Sequence, residues 1–252
     1  MIPREHLGTA RVPGGAELRL FRRGGDFMIV LERNELMNSR MRGSEEALAA
    51  MTIARLREPG AARLLVGGYG MGFTLRAALA ALGPKARVTV AELVPEILEW
   101  ARGPMAALTA GCLDDPRVRV VEADVAAAIG EVAASGDTYV PVPGTRSGDT
   151  YVPVPGTRTY MSPAWDAILL DVDNGPDGLV RAANDRLYSA AGLAAAKAAL
   201  RPGGVLAIWS AAPDAAFARR LAQAGFAVEE VAVRARENGK GPRHVIWFAR
   251  KR

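Results

Sequence analysis

From Arg63 to the C-terminus, short apolar runs take turns with Ala-rich stretches of helical pattern, and few architectures accept that rhythm. Strands are expected at Leu64–Val66, Val88–Val90, Val118–Val121, Ala167–Leu170, Val205–Trp209, Ala227–Val233 and Val245–Ala249. Between them, helices are expected at Arg76–Leu82, Pro95–Arg102, Val125–Ala134, Leu187–Leu200 and Asp214–Ala224. Strand–helix alternation predicts a mostly parallel sheet covered on both faces, a Rossmann-like α/β fold with seven strands. Only Glu237 to Arg243 separates the last two strands. A parallel crossover needs about a dozen residues, so these two are expected as an antiparallel C-terminal hairpin.

Two segments stand outside the rhythm. Between Glu17 and Met37, Leu18 and Leu20, then Phe27, Ile29 and Leu31, alternate with polar residues across Gly24-Gly25. The pattern reads as a small antiparallel β appendage over residues 1–42, ahead of a main domain at 43–252. A helix from Ser44 to Leu56 opens that domain, with Ser44 as its cap. The second segment is a tandem duplication at 135–158, where SGDTYVPVPGTR occurs twice without change. Paired prolines remove N–H donors from one edge of each copy, so the segment is expected to be polyproline-like or an edge hairpin.

The chemistry gathers around Leu64-Leu65-Val66-Gly67-Gly68-Tyr69-Gly70-Met71-Gly72, a strand running into a glycine-rich turn and then a helix. Gly67, Gly68, Gly70 and Gly72 let backbone approach a ligand closely, and N–H groups at the start of the helix suit polar or anionic ligand atoms. Glu92 follows about 20 residues later at the end of the next strand, where a carboxylate accepts both hydroxyls of a ribose. Asp124 ends the third strand, placed to accept from an adenine amine. A nicotinamide enzyme would share the glycine-rich turn and Glu92, but Leu200-Arg201-Pro202-Gly203-Gly204, expected as a helix end and a tight turn at 201–204 before a strand and the terminal hairpin, gives an order that resembles class I S-adenosylmethionine-dependent methyltransferases.

Composition bounds the alternatives. The 252 residues carry a net charge of +5, but the basic residues are scattered and lack interleaved aromatic platforms, so a nucleic-acid partner is not expected. No apolar run reaches the roughly 20 residues of a membrane span, and a cytoplasmic, non-membrane protein is the expectation. Cys112 is the single cysteine, expected as a buried thiol, and His6 and His244 lie far apart, so no metal site is expected. Trp100 and Trp209 fall near element ends where they would pack or line a ligand mouth.

Three blocks carry a more specific likeness: Gly67 to Leu75 with its Thr74-Leu75-Arg76 ending, Leu113-Asp114-Asp115-Pro116-Arg117-Val118, and Leu170-Asp171-Val172-Asp173-Asn174-Gly175-Pro176. With them the chain resembles the spermidine synthase (polyamine aminopropyltransferase) family, a branch of the class I S-adenosylmethionine-dependent methyltransferase superfamily. The resemblance implies transfer of an aminopropyl group from decarboxylated S-adenosylmethionine to a small-molecule amine. It implies nucleoside binding by Glu92, Asp124 and Val125, catalysis by Asp171, and a homodimer. Acceptor binding falls on Asp173, Asn174, Glu46 and Asn38, where the sequence departs from the family. Asn174 stands where an aspartate is usual, with Asp173 one position early, and Ser44-Glu45-Glu46 replaces a Tyr-His-Glu or Tyr-Gln-Glu run, leaving only Glu46 matched. Methyl transfer from S-adenosylmethionine and nucleotide binding without turnover stay open as alternatives.

Overall fold

The computed structural model describes residues 2–134, 139–141, 151–153, 164–172, 185–236 and 238–252. The chain opens with a four-stranded antiparallel meander, β1 (Glu5–Arg11), β2 (Glu17–Arg23), β3 (Asp26–Leu31) and β4 (Asn34–Asn38). Gly24, with φ of 63°, turns the β2–β3 hairpin in the left-handed conformation that such two-residue loops require. Leu18 pairs with Leu31 and Leu20 with Ile29, which lines one face of the meander with buried aliphatic side chains.

After α1 (Gly43–Ile53), the main sheet is built from β5 (Arg63–Gly67), α2 (Phe73–Ala81), β6 (Arg87–Glu92), α3 (Pro95–Arg102), α4 (Ala106–Thr109), β7 (Val118–Glu122) and α5 (Val125–Ala134). Two short strands, β8 (Tyr139–Pro141) and β9 (Tyr151–Pro153), pair antiparallel, with Val140 opposite Val152. Each lies in one copy of the duplicated segment, so the copies pair with each other as a separate two-stranded sheet; the rest of 135–158, with the turn expected there, lies outside the described residues. The chain resumes with β10 (Trp165–Leu170), α6 (Asp185–Tyr188), α7 (Ala190–Ala199), β11 (Leu200–Ser210), α8 (Ala215–Gln223), β12 (Phe226–Arg234) and β13 (Arg243–Lys251).

The large sheet has the order β12-β13-β11-β10-β5-β6-β7. Pairs from β11 through β7 are parallel, while β13 is antiparallel to both β11 and β12, as the short final loop requires. Leu64 and Leu65 of central β5 are fully buried on opposite faces, each contributing roughly 1.5–3 kcal/mol. The chain steps outward from β5 to β6 and β7 and then returns to β10, so the order reverses between β5 and β10, which is where such sheets open a crevice at their carboxyl ends. The meander packs into the same hydrophobic cluster as β5 and β6, so the apolar faces of both sheets meet in one continuous core.

Some local expectations shift. The helix expected at Leu187–Leu200 is broken at Ser189, whose hydroxyl accepts from Gly192 N and caps α7. The turn expected at 201–204 is the bulged start of β11, with Gly203 at φ of 78°. α1 begins at Gly43, one residue earlier than expected, so Arg42 stands at the cap position without a side-chain cap, and Ser44, inside the first turn, directs its hydroxyl to Glu45 and His244.

Candidate active site

The turn from β5 into α2 forms the floor of a crevice. Gly68 and Gly70 have φ of 84° and 54°, in the left-handed region where glycine is favoured, and both line the opening. A Cβ on Gly68 would lie 2.6 Å from the carbonyl oxygen of Asp171, so that glycine lets β5 and β10 end side by side. Gly67 and Gly72 do not line the crevice. A Cβ there would strike Val125 or the Tyr69 hydroxyl, so these two serve close packing behind the turn.

Glu92, at the end of β6, is 5% exposed and lines the crevice. One carboxylate oxygen accepts from Tyr69 N and the other from Val94 N, both at 2.9 Å. The carboxylate therefore ties the glycine-rich turn to β6 while keeping lone pairs for a ligand's hydroxyls. Burial pushes its pKa up, and the surrounding backbone amides pull it back. Asp124 follows β7, accepts from Ala126 N at 2.8 Å, and lines the same opening together with Val125.

Asp171 follows β10 directly across from Gly68. Its Oδ2 accepts from the Thr74 hydroxyl at 2.6 Å, and its backbone N–H donates to Gly67 O at 3.0 Å. Burial raises its pKa to about 6, against the lowering effect of Thr74. Behind it lies Glu45, 7% exposed, whose pKa stands near 8 chiefly through burial and next through repulsion by Asp171. The charge of Asp171 reaches Glu45 behind the crevice, so ionisation of one carboxyl opposes ionisation of the other.

The opposite wall is apolar. Val12, Leu18, Ile29, Leu31, Leu36 and Met37 from the meander cover an opening of about 1050 Å³, counting its mouth, and Trp209 from β11 closes one side. Among the described lining residues, the charged side chains are Glu92, Asp124 and Asp171, and none is basic. Such a lining favours a ligand with a flat apolar body, hydroxyls and positive charge.

Six of the expected site residues meet here: Gly68, Gly70, Glu92, Asp124, Val125 and Asp171. Glu46 does not. Its side chain pairs with Arg42 at 3.4 Å and lines a separate groove beside Arg76, because a helix turns about 100° per residue and Glu45 takes the inward position. Asn38 is buried at the end of β4, donating to Glu35 at 2.5 Å and accepting from Arg40 N, and does not line the crevice. Asp173 and Asn174 lie outside the described residues. Trp100 packs against β1 at Gly8, and Cys112 is buried beside the Tyr69 hydroxyl at 3.4 Å. Sequence reasoning missed Glu45 and left Trp209 unassigned. The phase of α1 held the signal, since Glu45 shares a face with Leu48, Ala49 and Thr52, all buried.

No family model and no curated protein matches the chain. Solved structures do. The spermidine synthase of Thermotoga maritima superimposes with a TM-score of 0.70 at 17% identity, covering 98% of this chain and 73% of that one. A spermidine synthase in complex with the transition state analogue AdoDATO gives 0.68, again at 17% identity and with the same coverage. A probable spermidine synthase from Corynebacterium glutamicum ATCC 13032 gives 0.59 at 14% identity, over 97% of this chain and 80% of that one. Over nearly its whole length, the chain has the fold of the spermidine synthases.

Proposed function

We propose that the protein transfers an aminopropyl group from decarboxylated S-adenosylmethionine to an amine. The observation that carries this reading is the crevice itself: Asp171, held by Thr74, faces the glycine-rich turn in a site whose charged lining, among the described residues, is wholly acidic. A sulfonium with an ammonium arm suits that lining. Among the described lining residues the carboxylate of intact S-adenosylmethionine would meet no cation, which favours the decarboxylated donor. The solved complex of a spermidine synthase with AdoDATO supports the same reading for this scaffold.

In this reading Glu92 accepts the ribose hydroxyls, Asp124 and Val125 hold the adenine, and the apolar wall from the meander excludes water. The acceptor nitrogen attacks the propyl carbon next to sulfur, the C–S bond breaks, and methylthioadenosine leaves as a neutral thioether. The proton lost by the amine goes to Asp171. An alkylammonium holds its proton up to about pH 10.4, so a carboxylate raised to about 6 is a better acceptor than an ordinary one and is still ionised at neutral pH. Alignment of the two reactants supplies the rest of the acceleration.

Incubation with each donor and a panel of amines tests the reading. Methylthioadenosine is the expected product, with the decarboxylated donor bound about tenfold more tightly, or about 1.4 kcal/mol. S-adenosylhomocysteine would instead mark methyl transfer, and donor binding without either product would mark a nucleotide-binding protein.

A further inference from the structure

Three polar side chains behind Asp171 have no part in that mechanism. Ser44 is fully buried and Glu45 nearly so, both in the first turn of α1, where polar burial is costly unless it serves something. The Ser44 hydroxyl lies 2.9 Å from Glu45 Oε2 and 2.9 Å from Nδ1 of His244, a residue 200 positions away on β13. The His244 ring stands edge-on to Trp209, at 4.8 Å between centroids, and is itself partly exposed. The three groups therefore form a continuous hydrogen-bonded line from the buried carboxyl pair to the surface.

We propose that Glu45 is the second acid of this site and that Ser44 and His244 link it to solvent, giving the proton taken by Asp171 a way out. The idea rests on the aminopropyl-transfer reading for its substrate, but the proton path is a property of the protein alone. At neutral pH Glu45 holds a proton and Asp171 does not, because burial and the Asp171 charge both raise Glu45. When Asp171 receives the amine proton its charge disappears, and Glu45 becomes more acidic. The Ser44 hydroxyl, which donates to Glu45 Oε2 in the resting protein, then turns to donate to His244 Nδ1 and takes the Glu45 proton, with His244 starting as the Nε2–H tautomer. Burial keeps the His244 ring neutral and ready to accept, and the imidazolium releases its Nε2 proton to water. One proton leaves the amine and one reaches solvent, and the proton now on Asp171 returns to Glu45.

The groups acting on these residues are few. Glu45 feels Asp171 from the end of β10 and Glu46 from its own helix, while the Thr74 hydroxyl of α2 lies 3.4 Å from its backbone carbonyl. His244 meets Ser44 of α1 and Trp209 of β11, with Val233 opposite it on β12.

Two measurements on the full chain test the proposal. Carboxyl carbon NMR of the ligand-free protein should show Glu45 titrating near pH 8 and moving down in Asp171→Asn. An ordinary Glu45 midpoint, or one unmoved by that substitution, overturns it. In turnover, Ser44→Ala and His244→Phe should lower kcat about tenfold, less than the loss of a direct acid–base group, with donor KM unchanged. Added imidazole should partly restore His244→Ala, which repair of a merely structural role would not do. Folded variants that keep wild-type kcat from about pH 6 to about pH 9 overturn the path. If the wild-type chain turns over no donor, the functional reading fails, and the NMR titration alone decides for or against the coupled pair.

Discussion

The Thr74 hydroxyl donates to Asp171 Oδ2 at 2.6 Å, so the helix leaving the glycine-rich turn fixes the carboxylate at the end of a neighbouring strand. That bond stabilises the ionised form. Thr74→Val should therefore raise the Asp171 pKa above about 6 and move the acid limb of the rate–pH profile upward, while Thr74→Ser restores it. Asp171→Asn should lower the transfer rate by about 10²–10⁴-fold with donor affinity kept, as read by single-turnover kinetics and calorimetry.

Stability should fall as pH rises, opposite to the usual behaviour of paired carboxylates. Glu45 and Asp171 have folded-state pKa values above their ordinary ones, so the folded chain binds more protons than the unfolded chain in that window. Their contribution is complete below the ordinary carboxyl range, declines from about pH 4, and is lost as pH passes about 8. Glu45→Gln keeps an oxygen for Ser44 and removes the titration, so urea midpoints at acid and alkaline pH should differ less than in the wild type.

The strand–helix order, the C-terminal hairpin and the carboxylates at strand ends were legible because each follows from a local pattern: period-2 or continuous apolar runs, glycine-rich turns, and a loop too short for a crossover. The inward acid on α1 is not legible in spacing alone. A likeness in spacing pointed to Glu46, whereas the apolar stripe through Leu48 and Thr52 turns Glu45 inward. Ser44 looked like a helix cap, yet its hydroxyl serves Glu45 and His244, a partner that only tertiary folding brings near. The apolar wall from the meander was invisible for the same reason, since Leu31 and Met37 meet the site across a different sheet.

Gly68→Ala tests the close approach of β5 to β10. The left-handed φ and the 2.6 Å contact with a backbone oxygen should together cost about 1–3 kcal/mol and weaken donor binding. Denaturant midpoints and calorimetry read both effects, and an unchanged donor affinity would remove the turn from the binding surface.

Glu92→Gln tests the anchor. A carboxylate satisfies the N–H groups of both Tyr69 and Val94, but an amide offers one acceptor and turns its NH₂ toward the other donor. A loss of about 1–3 kcal/mol in stability is expected, with weaker nucleoside binding in calorimetry.

On the ribosome, the crevice gains its roof before its floor. Among the described residues β1 to β4 pair with their sequence neighbours and emerge before β5 and β6, with Leu18, Ile29 and Leu31 facing water until those strands follow. Until β5 and β6 are made, this sheet therefore keeps a bare apolar face that is prone to stick to others like itself. The side chains that line the crevice in the finished molecule must be shielded during its birth, so the crevice exists only once both parts of the chain have met.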